Sequence, residues 1–401
     1  MKPSMDLPAR LCAVCGGEDK RLLYQQRFSS FSGGLLEGFD VVACVRCGFC
    51  FADYIPEQAA FDRYYSGMSK YEYNDQGGSE SSYDLARFQA VAAFLLPYFR
   101  SPDARILEIG CATGRLLGLI KQAGYPNVLG VDPSPACARA ATALYGVPAI
   151  TGTLNSMDVL PRSQDFLILA GVLEHVRDLD SALRRLSQVL TDGGRLHIAV
   201  PDASRYAEGE DAPFQEFSVE HINFFGPHSL TNLLMGYGFR RIACDQRIMT
   251  ANYRNTTPVI LAVFEKISGD QTNGSWSPDI TTSVGLERFI AKSVEADRQI
   301  HAAISLLADE QTPIMVWGTG AHTLRLLETS RLSEARITAF IDSNVRYQDK
   351  HLRGVPILAP DAMRGRSEPI LISSRVYQHE IVNRIRNEMG MSNRLIVLYD
   401  I

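Results

Sequence analysis

The chain has 401 residues, 46% hydrophobic side chains and a formal net charge of -5 at pH 7. It is too long for one hydrophobic core, so two or three domains are expected, and its mild negative charge gives no reason to expect a nucleic-acid surface. No apolar run approaches the ~18 residues of a membrane span, and the first ten residues lack the apolar core of a signal peptide. We therefore expect a cytoplasmic protein whose eight cysteines are reduced thiols or metal ligands.

Two C-x-x-C pairs mark the N-terminal region. Cys12 and Cys15 form the first pair, Cys44 and Cys47 form the second, and a glycine follows each. Two such turns make a closed four-sulfur site for which zinc is the usual ion, and four protein ligands leave no open position for catalysis. Free buried cysteines, a redox dithiol and an iron–sulfur centre are the other interpretations of this pattern. We expect a structural zinc site.

An aromatic segment follows the cysteines at Phe61–Tyr73. Its pattern fits an amphipathic helix that packs through its aromatic side chains. Alternatively, Tyr71 and Tyr73 form a lid that covers a binding site. Short strands are expected beside the second cysteine pair, at Asp40–Cys44 and Phe49–Ala52.

The clearest motif is Ile106–Leu117, ILEIGCATGRLL, which predicts a buried strand, a glycine turn and a helix. Gly110 and Gly114 suit such a turn because glycine tolerates positive φ and lets a ligand approach the backbone. A second strand, Val128–Asp132, ends in an acid about 20 residues further on, where a carboxylate can bind ribose hydroxyls. The turn lacks the lysine of triphosphate loops and the full dinucleotide pattern; it has Glu108 in front of it.

This motif resembles motif I of the class I S-adenosylmethionine (SAM) dependent methyltransferases. The resemblance implies that the glycine loop lies under the methionine part of SAM, that Asp132 binds its ribose, and that the segment ahead of the motif covers the cofactor. The candidate SAM-binding residues are Glu108, Gly110, Gly114, Asp132, Asn155 and Tyr71.

Strands and helices alternate after the motif, which predicts a parallel, doubly wound sheet with its ligand at the carboxyl ends of the strands. We expect strands at Arg105–Ile109, Val128–Val131, Ala149–Thr151, Phe166–Leu169 and Arg195–Val200. Leu190–Val200 is expected to run from a helix end through a turn at Gly193-Gly194 into the last of these strands. The order resembles that of class I methyltransferases across the core.

Two glutamate–histidine pairs follow strands of this sheet. Glu174-His175 comes after the fourth strand and Glu220-His221 after the fifth. A histidine beside a carboxylate is held in orientation and tuned for proton abstraction near neutral pH. The alternative for both histidines is that they only shape the pocket.

The four-cysteine module, the core, the second pair and a further C-terminal domain together resemble the zinc-containing sugar C-methyltransferases. That resemblance implies methylation of a carbon beside the keto group of a nucleotide-linked sugar, through an enolate. It implies His221 as the base with Glu220 as its partner, and His175 is a further catalytic candidate. The alternatives are O- or N-methylation of another polar metabolite, and a non-catalytic SAM- or nucleotide-binding scaffold with a zinc docking module.

The C-terminal region predicts a second α/β unit. A helix is expected at Val284–Ala308, a strand, glycine turn and helix at Ile314–Leu327, and a strand ending in acid at Ile337–Asp342. Three interpretations of this unit remain open. It is an inert scaffold, it binds part of the acceptor near the Gly318–Ala321 turn, or it binds a second nucleotide.

The predicted fold class is thus α/β, with a Rossmann-like methyltransferase core between two smaller parts. The predicted division is a zinc-binding module with the aromatic segment at 1–75, the SAM core at 76–266, a linker at 267–283 and a Rossmann-like domain at 284–401. A small-molecule acceptor is expected, without nucleic acid or membrane, and the sequence leaves the oligomeric state open.

Overall fold

The computed structural model describes residues 7–29, 34–67, 82–252, 254–267 and 277–399. Sheets of four, seven and six strands organise this part of the chain. No helix within it is long and apolar enough to cross a membrane. Tyr71 and Tyr73 lie outside the described residues, so their role as a lid stays a prediction.

The N-terminal part is an antiparallel meander that carries both cysteine pairs. It consists of β1 (Lys20–Arg27), β2 (Gly38–Cys44) and β3 (Cys50–Asp53). The two strands expected beside the second pair are confirmed, whereas β1 was not predicted. Helix α1 (Gln58–Gly67) follows and buries Phe61 completely, so the described part of the aromatic segment is a packed helix.

The central domain alternates strands and helices around one large sheet. Its elements in chain order are α2 (Ser82–Leu95), β4 (Ile106–Ile109), α3 (Arg115–Gln122), β5 (Val128–Asp132), α4 (Pro135–Tyr145), β6 (Ala149–Thr151), β7 (Gln164–Ala170), α5 (Leu179–Val189), β8 (Leu190–Pro201), β9 (Asn223–Phe224), α6 (Pro227–Met235), β10 (Phe239–Asn252) and β11 (Asn255–Lys266). The strand order is β10-β11-β8-β7-β4-β5-β6. Pairing is parallel from β8 to β6 and antiparallel at β11 and β10. The five expected strands are confirmed.

The expected helix end and turn before the fifth strand are wrong in detail. Helix α5 ends at Val189 and β8 begins at Leu190. The pairing of β7 with β8 shifts between Gln164 and Phe166, which accommodates the extra residues ahead of Arg195. Gly193 has a φ of 70°, a conformation that glycine adopts without strain.

Strand β9 belongs to the N-terminal sheet although it lies within the central stretch of sequence. It pairs with β3, with Phe224 opposite Cys50 and Asn223 opposite Phe51. Because β9 begins two residues after His221, the cysteine module is joined directly to the segment that carries the second histidine.

The C-terminal part is a second, smaller parallel α/β unit. Its elements are α7 (Ile280–Glu310), β12 (Ile314–Trp317), α8 (Ala321–Thr329), β13 (Ile337–Ile341), β14 (His351–Leu352), β15 (Val355–Leu358), β16 (Ile370–Ile372), α9 (Gln378–Asn383) and β17 (Leu395–Val397). The strand order is β14-β15-β13-β12-β16-β17, antiparallel only at β14. Asp279 caps α7 by accepting the N–H groups of Thr281 and Thr282, so the helix begins before the expected Val284.

One apolar cluster joins this unit to the N-terminal sheet. Phe39 and Val41 from β2 belong to it together with Leu286 and Ile304 from α7 and Val316 from β12. The shared core holds the C-terminal unit against the rest of the chain, so that its glycine turn faces the central sheet.

Candidate active site

A cavity of about 710 Å³ opens at the carboxyl ends of the central strands. All three parts of the chain supply its wall: Tyr65 comes from α1, Asp132 from the end of β5, His221 from the segment before β9, and Gly320 from the turn before α8. Ligands of parallel α/β sheets bind at this edge, because the strand ends and their loops converge there.

The glycine turn after β4 is held in a conformation that side chains disfavour. Gly110 and Gly114 have φ angles of 74° and 79°. A Cβ atom on Gly110 would lie 2.7 Å from Val172 Cγ2, and one on Gly114 would lie 2.7 Å from Ala141 Cβ. Glycine is therefore required at both positions for the turn to pass this close to its neighbours.

Asp132 is fixed at the end of β5 by the turn itself. Its Oδ2 accepts the N–H of Ala112 and its Oδ1 accepts the N–H of Ser134, both at 2.9 Å. Burial raises the pKa of Asp132, although these two N–H groups oppose the rise. Each oxygen keeps a lone pair that can accept a ligand hydroxyl.

Glu108 lies buried in the wall of the same cavity. Its Oε2 has no hydrogen-bond partner among the described residues. Burial, and then the negative charge of Asp132, raise the pKa of Glu108 to about 8. The side chain is therefore mostly protonated near neutral pH.

Asn155 lies at the exposed edge of the cavity, where its N–H donates to Thr153 Oγ1 at 3.3 Å. The structure describes no position for Tyr71. Two other tyrosines of the aromatic segment, Tyr64 and Tyr65, line the cavity.

The two histidines meet in the middle of the cavity wall. The ring centres of His175 and His221 are 5.0 Å apart. His175 Nδ1 lies 2.9 Å from the carbonyl oxygen of Glu220, so Nδ1 carries the proton and donates it. His175 Nε2 lies 3.7 Å from Glu174 Oε1. The fold therefore brings together the two pairs that are separated in sequence.

The carboxylate that faces His221 is not the one next to it in sequence. Glu216 Oε2 lies 3.4 Å from His221 Nδ1, whereas Glu220 Oε1 accepts a hydrogen bond from the Tyr64 hydroxyl at 2.9 Å. Burial lowers the pKa of His221, but Glu216 and then the charges of Glu174 and Glu220 outweigh it, so the pKa is raised above its ordinary value. The structure thus shows Glu216 as the carboxylate that faces His221 Nδ1, and the role of Glu220 as partner of the base stays a prediction.

Comparison with known proteins agrees with this geometry. Residues 83–243 match the family model described as a methyltransferase domain. A probable S-adenosylmethionine-dependent methyltransferase of Mycobacterium tuberculosis is 25% identical over 237 residues, covering 57% of this chain and 83% of that protein. The chain is a SAM-dependent methyltransferase.

Two further proteins are similar to parts of the methyltransferase. Malonyl-(acyl-carrier protein) O-methyltransferase of Methylococcus capsulatus is 25% identical over 173 residues, covering 41% of this chain and 61% of that protein. The solved structure of a 1,6-didemethyltoxoflavin N1-methyltransferase of Burkholderia thailandensis with bound S-adenosylhomocysteine aligns with a TM-score of 0.42 and 17% identity, covering 56% of this chain and 97% of that one.

Glu216, Tyr64 and Tyr65 line the cavity of the methyltransferase but were not among the predicted site residues. Glu216 stands in an ordinary stretch, and only tertiary packing shows that it faces His221. Tyr64 belongs to the aromatic segment that the sequence analysis singled out, although Tyr71 and Tyr73 were the candidates there and their role stays a prediction. Helical spacing from Phe61, which is buried, could have indicated which side of α1 faces inward.

The lining of the cavity is strongly acidic. Among the described residues its carboxylates are Asp62, Glu108, Asp132, Glu174, Asp211, Glu216 and Glu220, and its one arginine or lysine is Arg87, which pairs with Asp84 at 2.9 Å. Buried carboxylates need a compensating positive charge or a proton. The part of the cavity around Glu174, Glu216 and Glu220 therefore favours cationic and neutral groups.

The four cysteines of the two pairs converge. Cys12 Sγ and Cys47 Sγ are 3.4 Å apart, Cys15 Sγ and Cys44 Sγ are 3.5 Å apart, and all four sulfurs lie within 4.8 Å of one another. Sulfurs in a tetrahedral zinc site, each about 2.3 Å from the ion, are about 3.8 Å apart. The four cysteines could therefore coordinate a metal ion through four thiolates without rearrangement of the chain.

The C-terminal glycine turn faces the same cavity as the SAM motif. Thr319, Gly320 and Ala321 line its wall, and the space where a Cβ atom of Gly320 would lie is open. The acid at the end of β13, Asp342, accepts both the N–H and the hydroxyl of Thr319. Asp342 is thus held by its glycine turn as Asp132 is held by the turn after β4, with the Thr319 hydroxyl as an additional donor.

Proposed function

We propose that the enzyme methylates a carbon beside the keto group of a nucleotide-linked sugar, with His221 as the base. The observation that carries the proposal is the continuous cavity, which joins the glycine turn after β4 to the paired histidines and to the C-terminal turn. A cofactor at one end and an acceptor between the histidines and Gly320 would then share one cavity.

SAM supplies an electrophilic methyl group when it is bound. We assign its binding to Glu108, Gly110, Gly114 and Asp132, with Asn155 at the edge of the cavity. The carboxylate of Asp132, held by Ala112 and Ser134, suits a pair of ribose hydroxyls. Tyr71 remains a candidate for covering the cofactor.

His221 takes the proton from the acceptor carbon in this mechanism. Glu216 faces its Nδ1 and stabilises the imidazolium that forms, while His175 is held in one tautomer by the Glu220 carbonyl. The Tyr65 hydroxyl is buried without a partner among the described residues, and its ring lies 5.8 Å from that of His175. It is a suitable donor to an enolate oxygen.

The test is deuterium exchange at the carbon beside the keto group, in the presence of S-adenosylhomocysteine. Exchange with a nucleotide-linked ketosugar, lost in His221→Ala, would support the enolate mechanism. The same variant should bind S-adenosylhomocysteine as tightly as the native protein, because His221 is separate from the glycine turn. Exchange that persists in His221→Ala would contradict the assignment of the base.

N- or O-methylation of another polar metabolite is the second candidate. The acidic lining favours it for an amine, since a protonated nitrogen would be held among Glu174, Glu216 and Glu220 before it gives up its proton. Turnover with amine acceptors, without carbon-bound deuterium exchange in any ketosugar, would favour this candidate over C-methylation.

We also propose that the four cysteines hold Zn²⁺ in a structural site, and that the enzyme is cytoplasmic, where the thiolates stay reduced. All eight cysteines are free of disulfides in the structure. Elemental analysis of freshly purified protein should find about one zinc per chain. Iron in place of zinc would change the assignment of the ion, and no metal at all would refute the site.

A further inference from the structure

Arg10 is a buried arginine that contacts both histidine-bearing segments. It is 3% exposed. One terminal nitrogen donates to the carbonyl oxygens of Ala52 at 2.9 Å and Ile222 at 3.1 Å. The other donates to Asn223 Oδ1 at 3.0 Å and to the Arg177 carbonyl at 3.5 Å. Ile222 directly follows His221, and Arg177 lies two residues after His175.

Asn223 completes this connection from the other side. Its side-chain nitrogen donates to the carbonyl oxygens of Leu173 at 3.1 Å and Val176 at 2.7 Å. The N–H of Ile222 donates to the Glu174 carbonyl at 2.9 Å. Three hydrogen bonds therefore connect the turn that carries His175 to the two residues that follow His221.

Arg10 is itself anchored in the cysteine module. Its N–H donates to Asp53 Oδ1 at 2.7 Å, and Asp53 Oδ2 pairs with Lys20 at 2.6 Å. Its guanidinium lies 5.2 Å from the centre of the Phe51 ring. Cys12 follows only two residues later, so an ion held by the four sulfurs also restrains the backbone of Arg10.

We propose that Arg10 and Asn223 are positioning residues: they connect the cysteine module to the two histidine segments, so that an ordered module holds both histidines in place. The metal module thereby sets the geometry of the acceptor end of the cavity. The SAM end is held by separate contacts, chiefly those of Asp132 with Ala112 and Ser134. Loosening Arg10 should disturb the histidines and leave the glycine turn intact.

The experiment compares Arg10→Met with Arg21→Met by hydrogen exchange on the metal-loaded full chain. Methionine keeps most of the apolar stem and removes the donors. Arg21 is the control because it belongs to the same module but makes an exposed ion pair with Glu287. Loss of hydrogen bonds from a charged donor should accelerate exchange of the Ile222 amide in Arg10→Met at least about tenfold.

Four further readouts accompany this exchange measurement. The affinity for S-adenosylhomocysteine and the metal content should match the native protein, and the exchange rate of the Ala112 amide should not change. The ring resonances of His175 and His221 should shift. Arg21→Met should leave all of these unchanged. Arg10→Lys, which can reach some of the same acceptors, should restore part of the protection.

Unchanged exchange at Ile222 in Arg10→Met would overturn the proposal, and so would equal acceleration at Ala112. If Arg10→Met does not fold, exchange of the Ile222 and Ala112 amides in Arg10→Lys and Asn223→Ser tests the proposal by the same criterion.

Removal of the metal from the native protein should reproduce the exchange pattern of Arg10→Met. A parallel loss of S-adenosylhomocysteine affinity would also overturn the proposal. Any effect on turnover rests on the proposed function, whereas the exchange measurements need no acceptor. Failure of the positioning role is therefore distinguishable from failure of the proposed function.

Discussion

Replacing Glu108 with glutamine tests whether the carboxyl beside the glycine turn stays protonated in the folded protein. Burial and the charge of Asp132 raise its pKa from 4.5 to about 8. Between these values the folded chain keeps a proton that the unfolded chain has lost. The free energy of unfolding of the native protein should therefore fall as pH rises through this window, and the fall is complete above about pH 8.

The magnitude follows from the width of the window. At about 1.4 kcal/mol for each pH unit, the largest loss is roughly 5 kcal/mol. Water entering the cavity and movement of nearby side chains would reduce it. Glutamine has nearly the same shape and no charge, so the Glu108→Gln variant should lack this loss.

Urea unfolding without ligand, at mildly acidic and at alkaline pH, measures the difference in the free energy of unfolding between Glu108→Gln and the native protein. The variant should match the native protein near the lower pH and exceed its stability at the higher one. Glu310→Gln, at the exposed end of α7, serves as the control and should behave like the native protein at both. An equal difference between Glu108→Gln and the native protein at both pH values would refute the reasoning.

The remaining predictions concern the cofactor, the base and the metal. Asp132→Ala should weaken S-adenosylhomocysteine binding measured by calorimetry at least about tenfold through lost hydrogen bonds to a charged acceptor; unchanged affinity would contradict the ribose assignment. Glu216→Gln should move the acidic limb of the pH–rate profile to lower pH, because it removes the nearest charge that raises the pKa of His221, and Glu220→Gln should move it less. A larger shift in Glu220→Gln would restore the partner expected from sequence. Metal removal should lower the thermal unfolding temperature, while Cys244→Ser, at an exposed cysteine outside the cluster, should not.

The SAM motif could be located from sequence because its parts are local. Glu108, Gly110 and Asp132 belong to one strand–helix–strand unit, in which the spacing of apolar residues and glycines largely dictates the backbone. The cysteine pairs were recognisable for a related reason, since two residues between cysteines place both sulfurs on one turn. In the structure the sulfurs of both pairs lie within 4.8 Å of one another.

Elements without a strong local pattern were missed. Strand β1 has polar and charged residues on both faces, with half of its positions partly exposed, and it exists because it pairs along β2. The two-residue strand β9 has no pattern of its own, and its place in the N-terminal sheet depends on β3 and Arg10. Propensity is a weak guide where pairing decides the conformation.

The sequence by itself thus determined the class of the core, the glycine turn after β4 and the presence of two glutamate–histidine pairs after strands of the sheet. The tertiary structure decided which groups act on those histidines: Glu216 faces His221, Tyr64 engages Glu220, and Arg10 ties both histidine segments to the cysteine module. The physical reason is distance along the chain. Arg10 and Ile222 are separated by 212 positions, and a contact of that separation is set by how sheets pack rather than by any local preference of the residues that make it.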